Sequence, residues 1–367
     1  MKPTLIIYIN NTIAFIILKI LSIFFKQKRT NKEGILFINT GQIGDIIISS
    51  MFLENEHCFR NDLQLYLVIK KEYSSIFKEY SGRFNIVEWD YKKYKWSIFY
   101  RINFIKKLRS LEYNQTYNLT SARGVTCDEL ALLSGSKQIY CLNSNWKYLK
   151  KCFGIRIDKK YNDILFKEYK NEYEKHIEVF KRTTKKDRPI ISTKNSNLFN
   201  STKTKLLNNK FIVISPFSSD NSRAYGLNNY LEISKQLSST YQIVLVGNSK
   251  EKDNSFLLPK IYDNIINLIG KTELLEVLQI IKNCALFIGN DSGLTHAALK
   301  FNIPLIAIIG GGNYGKYFPF MEDEKRSFLY YLLECFDCEW KCIYSEKYCL
   351  TKVPLDIVIE KANKLLN

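Results

Sequence analysis

An alternation constrains this chain more than any other feature. Short apolar runs end in polar, often glycine-bearing turns, and stretches with helical spacing follow them. In the N-terminal half Ile35–Ile38, Gln64–Ile69, Asn85–Trp89, Gln115–Leu119 and Gly135–Cys141 read as strands. In the C-terminal half Lys210–Ser215, Tyr241–Gly247, Ile265–Ile269, Ala285–Ile288 and Pro304–Ile309 do the same. Between them Ile46–Leu53, Tyr73–Tyr80, Ser97–Leu111, Asn228–Gln236, Leu274–Asn283 and Leu355–Leu366 read as helices; Ile98, Ile102, Ile105 and Leu108 give one of them its apolar stripe. Alternating strands and helices predict parallel, doubly wound sheets with helices on both faces. A chain of 367 residues suffices for two such domains. Between the halves, residues 150–210 turn rich in Lys and Asn. They predict an irregular helix and then a linker near residues 185–208.

The charge balance limits the partners. With 54 Lys+Arg against 36 Asp+Glu the chain carries +18, which favours an anionic partner. No RNP, zinc-finger or helix-turn-helix signature is present, so nucleic acid is not the expected one. Of nine cysteines, Cys58, Cys127, Cys141, Cys152 and Cys284 are scattered and read as reduced thiols. Cys335, Cys338, Cys342 and Cys349 are clustered; they read first as packed or redox-active thiols and only second as structural zinc ligands, because the spacing is not that of a zinc ribbon or finger. Residues 1–30 form a separate segment. Leu5–Phe25 is apolar but interrupted by Asn10, Asn11, Thr12 and Lys19. It reads first as a helix lying in a membrane interface, with Lys26, Lys28 and Arg29 towards anionic head groups, and otherwise as a span or a packed helix.

Two strand-end turns carry the chemistry. In the first, Gly41, Gly44 and Asp45 follow a strand and open a helix. The glycines allow close approach of backbone to a ligand, and Asp45 can cap the helix or act as a general base. The spacing is not Gly-x-Gly-x-x-Gly, so a nicotinamide cofactor is not expected, and no P-loop motif occurs. In the second, Phe287-Ile-Gly-Asn-Asp-Ser-Gly-Leu-Thr-His-Ala-Ala-Leu299 runs from a buried strand through a polar turn into a helix. Free backbone N–H groups and the positive helix end converge there. Ser292 or Thr295 can cap that helix, and Asp291 can accept hydrogen bonds from hydroxyls. Gly310–Gly315 repeats a glycine-rich turn on a neighbouring strand.

These residues resemble glycosyltransferase family 9, the lipopolysaccharide heptosyltransferase type, over roughly residues 33–367. Ile43-Gly44-Asp45, Ser215-Pro-Phe-Ser-Ser with Arg223, Val246-Gly247 through Glu251, and Asp291-Ser-Gly-Leu-Thr-His296 with Gly310 follow the family's order. The family often has Lys followed by Trp-Pro where this chain has Arg223-Ala-Tyr-Gly226. The resemblance implies the GT-B fold, two Rossmann-like doubly wound domains facing across a cleft. With the membrane-associating helix read at 1–30, it divides the chain into an acceptor domain at 31–190, a nucleotide-sugar domain at 205–350 and a C-terminal helix at 351–367. It implies an inverting transfer of a sugar, typically heptose, from an ADP-heptose-like donor to the lipopolysaccharide core. It makes Asp45 the general base, with Gly41 and Gly44 in the acceptor-side turn. It makes Asp291 a ligand of donor-sugar hydroxyls, and the Ser292, Gly293, Leu294 and Thr295 N–H groups with His296 the diphosphate end. Ser218, Ser219 and Arg223 then hold phosphate, and Glu251 the ribose. A helix end plus Arg supplies the charge such a leaving group needs, and no Asp-x-Asp occurs, so a metal-independent reaction without cofactor is expected. The expected place is the cytoplasmic face of the inner membrane, with an anionic glycolipid as acceptor. A second reading keeps the fold as a non-catalytic nucleotide-sugar-binding or membrane-surface scaffold.

Overall fold

A computed structural model describes residues 3–26, 33–143, 157–196, 198–199, 210–218, 223–248 and 264–367, with the backbone alone for residues 3–11. The chain divides into two compact units, Met1–Pro189 and Ile190–Asn367. Ser219, Glu251, Lys28, Arg29 and Cys152 lie outside the described residues.

The first unit opens with helix α1 (Pro3–Phe24) and then winds β1 (Gly34–Ile38), α2 (Ile43–Ser49), α3 (Met51–Glu54), β2 (Gln64–Lys70) and β3 (Phe84–Trp89). It continues through α4 (Tyr91–Trp96), α5 (Ile98–Ser110), β4 (Gln115–Asn118), α6 (Val125–Leu132), β5 (Gln138–Leu142), β6 (Asp163–Leu165) and α7 (Glu172–Thr184). The described strands form one sheet in the order β3-β2-β1-β4-β5-β6. The ladders are parallel, with Ile35 beside Leu65 on one flank and Gln115 on the other. Central β1 is buried along its whole length, as a parallel strand covered on both faces must be.

The second unit repeats that winding. It runs β7 (Phe211–Ser215), α8 (Leu227–Ser238), β8 (Gln242–Leu245), β9 (Ile265–Asn267), α9 (Leu274–Asn283), β10 (Leu286–Asn290), α10 (Gly293–Lys300), β11 (Leu305–Ile308) and β12 (Arg326–Leu329). It closes with α11 (Tyr348–Thr351) and α12 (Leu355–Leu366). Its parallel sheet has the order β12-β11-β10-β7-β8-β9. Counted from the first strand of each unit, both sheets read 3-2-1-4-5-6, the doubly wound order. The connections reverse direction between β1 and β4 in one sheet and between β7 and β10 in the other. Ligands of such sheets bind at the carboxyl ends of the strands at that switch point.

Several elements depart from the reading by pattern. The segment read as a helix over Tyr73–Tyr80 is a 3-10 stretch, Lys71–Phe77. Strands β6 and β12 were not expected: they are short edge strands, and β12 carries Arg326 and Ser327 rather than an apolar run. The irregular helix expected after residue 150 is regular over Glu172–Thr184, capped by the Asn171 side chain accepting from the Tyr173 N–H. Residues from Ile190 onward that were read as linker belong to the second unit. The Thr193 N–H donates to the Lys300 carbonyl at 2.9 Å, and Phe199 packs edge-on against Phe301 at 6.1 Å. Terminal helix α12 buries Val358, Ala362 and Leu366 in the second core.

Candidate active site

In the first unit the turn after β1 presents Asp45 in the first turn of α2. The Gln42 N–H donates to Asp45 Oδ2 at 2.8 Å, closing the helix start. The carboxylate lies so close to Gly41 that any Cβ there would collide with it, which is why a glycine occupies the position. Gly44 is buried behind it. Asn39 braces the turn from below, donating to the Asp45 carbonyl at 3.0 Å and to Ser49 Oγ at 2.6 Å. Ser49 in turn meets His176 Nε2 at 3.1 Å.

The other side of this switch point supplies a partner for Asp45. Ser121, in the turn after β4, donates to Asp45 Oδ1 at 2.5 Å. Thr40 and Thr120 join the two turns through their hydroxyls at 3.2 Å. The turn after β4 is held by buried charge: Arg123 meets Asp128 at 3.1 Å and Asp158 at 2.6 Å, and Asn118 donates to Asp128 at 3.0 Å. Both oxygens of Asp45 are thus engaged by groups of the two turns.

In the second unit the turn after β10 meets the loop after β7. Asn290 ties them together: Nδ2 donates to the Pro216 carbonyl at 3.0 Å, and Oδ1 accepts from the Tyr225 N–H and the Tyr230 hydroxyl, both at 2.9 Å. Ser218 and Arg223 are carried on this loop, Ser218 buried and Arg223 half-buried. The Arg223 guanidinium lies 5.1 Å over the Trp340 ring. Trp340 itself covers Gly310 and Gly312; a Cβ on Gly310 would sit 2.5 Å from that ring. The glycine-rich turn after β11 thus lets an aromatic from the tail approach the backbone closely and support the arginine.

Asp291, Ser292, Gly293 and Leu294 are partly exposed at the start of α10. Burial pushes the Asp291 carboxyl up to about 6, and the charges of Arg223 and Lys316 oppose that rise. Ser292 occupies the N-cap position, but its side chain makes no cap, and its hydroxyl is a buried polar atom without a partner. The capping role expected of it is therefore not filled. Thr295 turns inward instead: its hydroxyl donates to the Asn290 carbonyl and its N–H to the Ser292 carbonyl at 3.1 Å. His296 is buried, stacked on Phe318 with ring centroids 4.6 Å apart. Thr295 and His296 shape the site from behind. The exposed first-turn N–H groups of a helix have no intrahelical acceptor and point at any anion placed there.

Pattern reading missed Lys316, Ser121 and Trp340. Lys316 had a signal, since it directly follows the glycine-rich turn. Ser121 and Trp340 had none, because their partners Asp45 and Arg223 are remote in sequence. The tail cysteines are free thiols, with Cys349 buried, Cys335 and Cys338 half-buried and Cys342 exposed. Among the described residues no group of three or more His, Cys, Asp or Glu side chains is gathered to hold a metal ion.

Comparison with known proteins identifies the family and the fold. The family model for glycosyltransferase family 9 (heptosyltransferase) matches residues 101–338. Lipopolysaccharide heptosyltransferase 2 of Escherichia coli is 37% identical over 87 residues, 22% of this chain and 25% of that protein. Lipooligosaccharide heptosyltransferase 2 of Campylobacter jejuni is 27% identical over 145 residues, 37% of this chain and 44% of that protein. The matched stretches span less than half of either relative. The solved structure of E. coli ADP-heptose lps heptosyltransferase II superposes with a TM-score of 0.67 at 19% identity, covering 91% of this chain and 98% of that one. That likeness places the two doubly wound sheets in the GT-B class, and the family match covers well over half of the sequence. The chain belongs to glycosyltransferase family 9, the heptosyltransferases.

Proposed function

We propose that the chain is an inverting glycosyltransferase moving a sugar, heptose by the names of its relatives, from a nucleotide-sugar donor to a lipopolysaccharide-core or related glycolipid. The second unit holds the donor. The start of α10, Arg223 and Lys316 receive the diphosphate, Ser218 adds a hydroxyl, and Asp291 accepts from sugar hydroxyls; Ser219 and Glu251 join through the family motif. The first unit supplies the base. Asp45 takes the proton of the acceptor hydroxyl as its oxygen bonds to the anomeric carbon from the side opposite the diphosphate. The bond from the anomeric carbon to phosphate oxygen breaks, and nucleoside diphosphate leaves with the electron pair. Two fixed cations and a helix end stabilise that leaving charge, so these residues supply what a divalent ion otherwise would. The enzyme works on the cytoplasmic face of the inner membrane, attached through residues 1–30.

The observation that carries this reading is the start of α10, where Ser292 keeps a buried, unpartnered hydroxyl beside a carboxyl that two cations face. A fold built for stability alone would satisfy that hydroxyl with a cap, at a gain of about 1 kcal/mol. Asp45→Asn should lower turnover with an extracted glycolipid acceptor by roughly a hundredfold or more while calorimetry shows donor affinity nearly unchanged. Unaltered turnover would remove Asp45 from the mechanism, and failure to bind any of a panel of nucleotide sugars would favour the membrane-surface scaffold reading.

A further inference from the structure

We infer that the first unit carries a second membrane contact besides its N-terminal helix: the elbow between α4 and α5 inserts its aromatic tip into an anionic phospholipid surface. The inference deepens the membrane attachment proposed above and rests on it.

Helices α1, α4, α5 and α6 cover one face of the first sheet. Phe15, Leu18 and Leu21 of α1, Tyr94 of α4, Phe104, Ile105 and Leu108 of α5, and Leu130 of α6 share one core with Leu36 and Ile38 of β1. Successive strand residues face opposite ways, so a core holding Leu36 and Ile38 lies on a single side of the sheet. The two outer helices also meet end to end. Arg109 of α5 donates to the Lys26 carbonyl at 2.5 Å and its guanidinium lies 5.5 Å over the Phe25 ring.

The solvent side of this layer is apolar where it ought to be polar. On α1, Ile13, Ile16, Ile20 and Ile23 are exposed at spacings of three, four and three, which places them along one outward stripe. At the elbow Trp96 is 77% exposed and Phe99 78%, with Tyr91 and Ile98 beside them. Including Phe24, these two elements hold nine of the sixteen exposed large hydrophobic side chains among the described residues. Single exposed hydrophobic residues need no explanation, but a concentration of this kind marks an interaction surface.

Charge selects the occupant. Residues 91–110 contain five lysines, two arginines and no acid, and residues 3–26 contain two lysines and no acid. Lys95 lies 4.9 Å over the Trp96 ring, while Lys92, Lys93, Lys106 and Lys107 are exposed around the elbow. Beside it a groove of about 430 Å³ is lined by Lys71, Lys93, Lys107 and Tyr100 together with Glu88 and Asp90. Both acids are occupied, Glu88 by the Ser74 hydroxyl at 2.7 Å and Asp90 by the Lys93 N–H at 3.0 Å. Aromatic tips ringed by lysines match the boundary between acyl chains and anionic head groups. A second copy of the chain fits poorly, because a two-fold contact through this patch would set lysine against lysine.

The test is flotation of the full chain with phosphatidylcholine vesicles and with vesicles that also contain phosphatidylglycerol. The wild type should float with the second kind. The elbow variants Trp96→Ser/Phe99→Ser and Lys92→Glu/Lys93→Glu/Lys95→Glu should each weaken binding about tenfold or more, with unchanged thermal melting and unchanged turnover of a water-soluble, delipidated acceptor. Elbow variants that float like the wild type overturn this inference and leave attachment through α1 standing. A wild type that floats with neither vesicle overturns both, while turnover of the soluble acceptor still reports separately on the proposed enzyme. A dimer in solution that Trp96→Ser/Phe99→Ser dissolves assigns the patch to self-association and overturns the lipid.

Discussion

Asp45 shows how one carboxylate ties two turns of the fold together. Its Oδ2 closes the start of α2 and its Oδ1 receives the Ser121 hydroxyl, so the side chain is held in one orientation before any substrate arrives. Pre-orientation of this kind is what a general base needs, since proton transfer depends on reach before it depends on affinity for the proton. The network behind it contains a titrating group. Burial holds the His176 imidazole at about 4, below its ordinary value of about 6.5. As pH falls through that window, the unfolded chain takes up a proton that the folded chain refuses. Stability present above about pH 6.5 is therefore lost progressively towards pH 4, by up to about 3 kcal/mol from this group. Urea unfolding of the wild type and of His176→Asn across that range should show the wild type losing the larger share. Parallel curves would mean that His176 is protonated without cost. Asp128 and Glu129, raised by burial, pull the other way in both proteins and drop out of the comparison.

At the scale of elements, α1 does two jobs with two faces. Leu18 is fully buried and Leu21 nearly so, and both join the first core beside Leu130 of α6. The isoleucine stripe on the other face is exposed, with nothing among the described residues covering it. Among the described residues no helix is long and apolar enough to cross a membrane. A helix docked on one side and apolar on the other suits attachment along a surface. Leu18→Ala should cost about 2 to 5 kcal/mol of stability, the range for truncating a buried leucine. A melting temperature equal to that of the wild type would show that α1 hangs free of the core. The elbow between α4 and α5 has the same division of labour: Tyr94 and Phe104 face the core and Trp96 and Phe99 face out.

At the scale of the whole molecule, the net charge of +18 has an address. Lysines cluster on the outer helical layer of the first unit, and Arg223 and Lys316 face Asp291 in the second. The two groups differ in how salt reaches them. An exposed surface attraction is screened as the Debye length shrinks from about 10 Å at 0.1 M to about 3 Å at 1 M, whereas partly buried pairs are screened much less. Raising salt across that range should release the protein from anionic vesicles while weakening binding of nucleoside diphosphate far less, as read by flotation and calorimetry. Equal losses in both assays would mean that the proposed donor site is as open to solvent as the lysine face.

Local pattern carried a large part of this protein. The limits of α9 and α12 follow from spacing alone, because an amphipathic face and its flanking breakers are written in neighbouring residues. The positions of the Asp45 and Asp291 turns were legible for the same reason. The edge strands β6 and β12 were not, since edge pairing is decided by the neighbouring strand rather than by the strand's own apolarity. The turn after β10 sharpened most. Ser292 reads in sequence as a helix cap, yet the fold leaves its hydroxyl unused, buries Thr295 and His296, and brings Lys316 towards Asp291. By itself the sequence determined a twice-repeated doubly wound chain, its two glycine-bearing strand-end turns and its family, because strand, turn and helix signals are local. Only the tertiary structure decided which side chains meet there. Ser121 reaches Asp45 across 76 positions, and Trp340 supports Arg223 from the tail. Contacts between remote residues exist only once the sheets bring strand ends together.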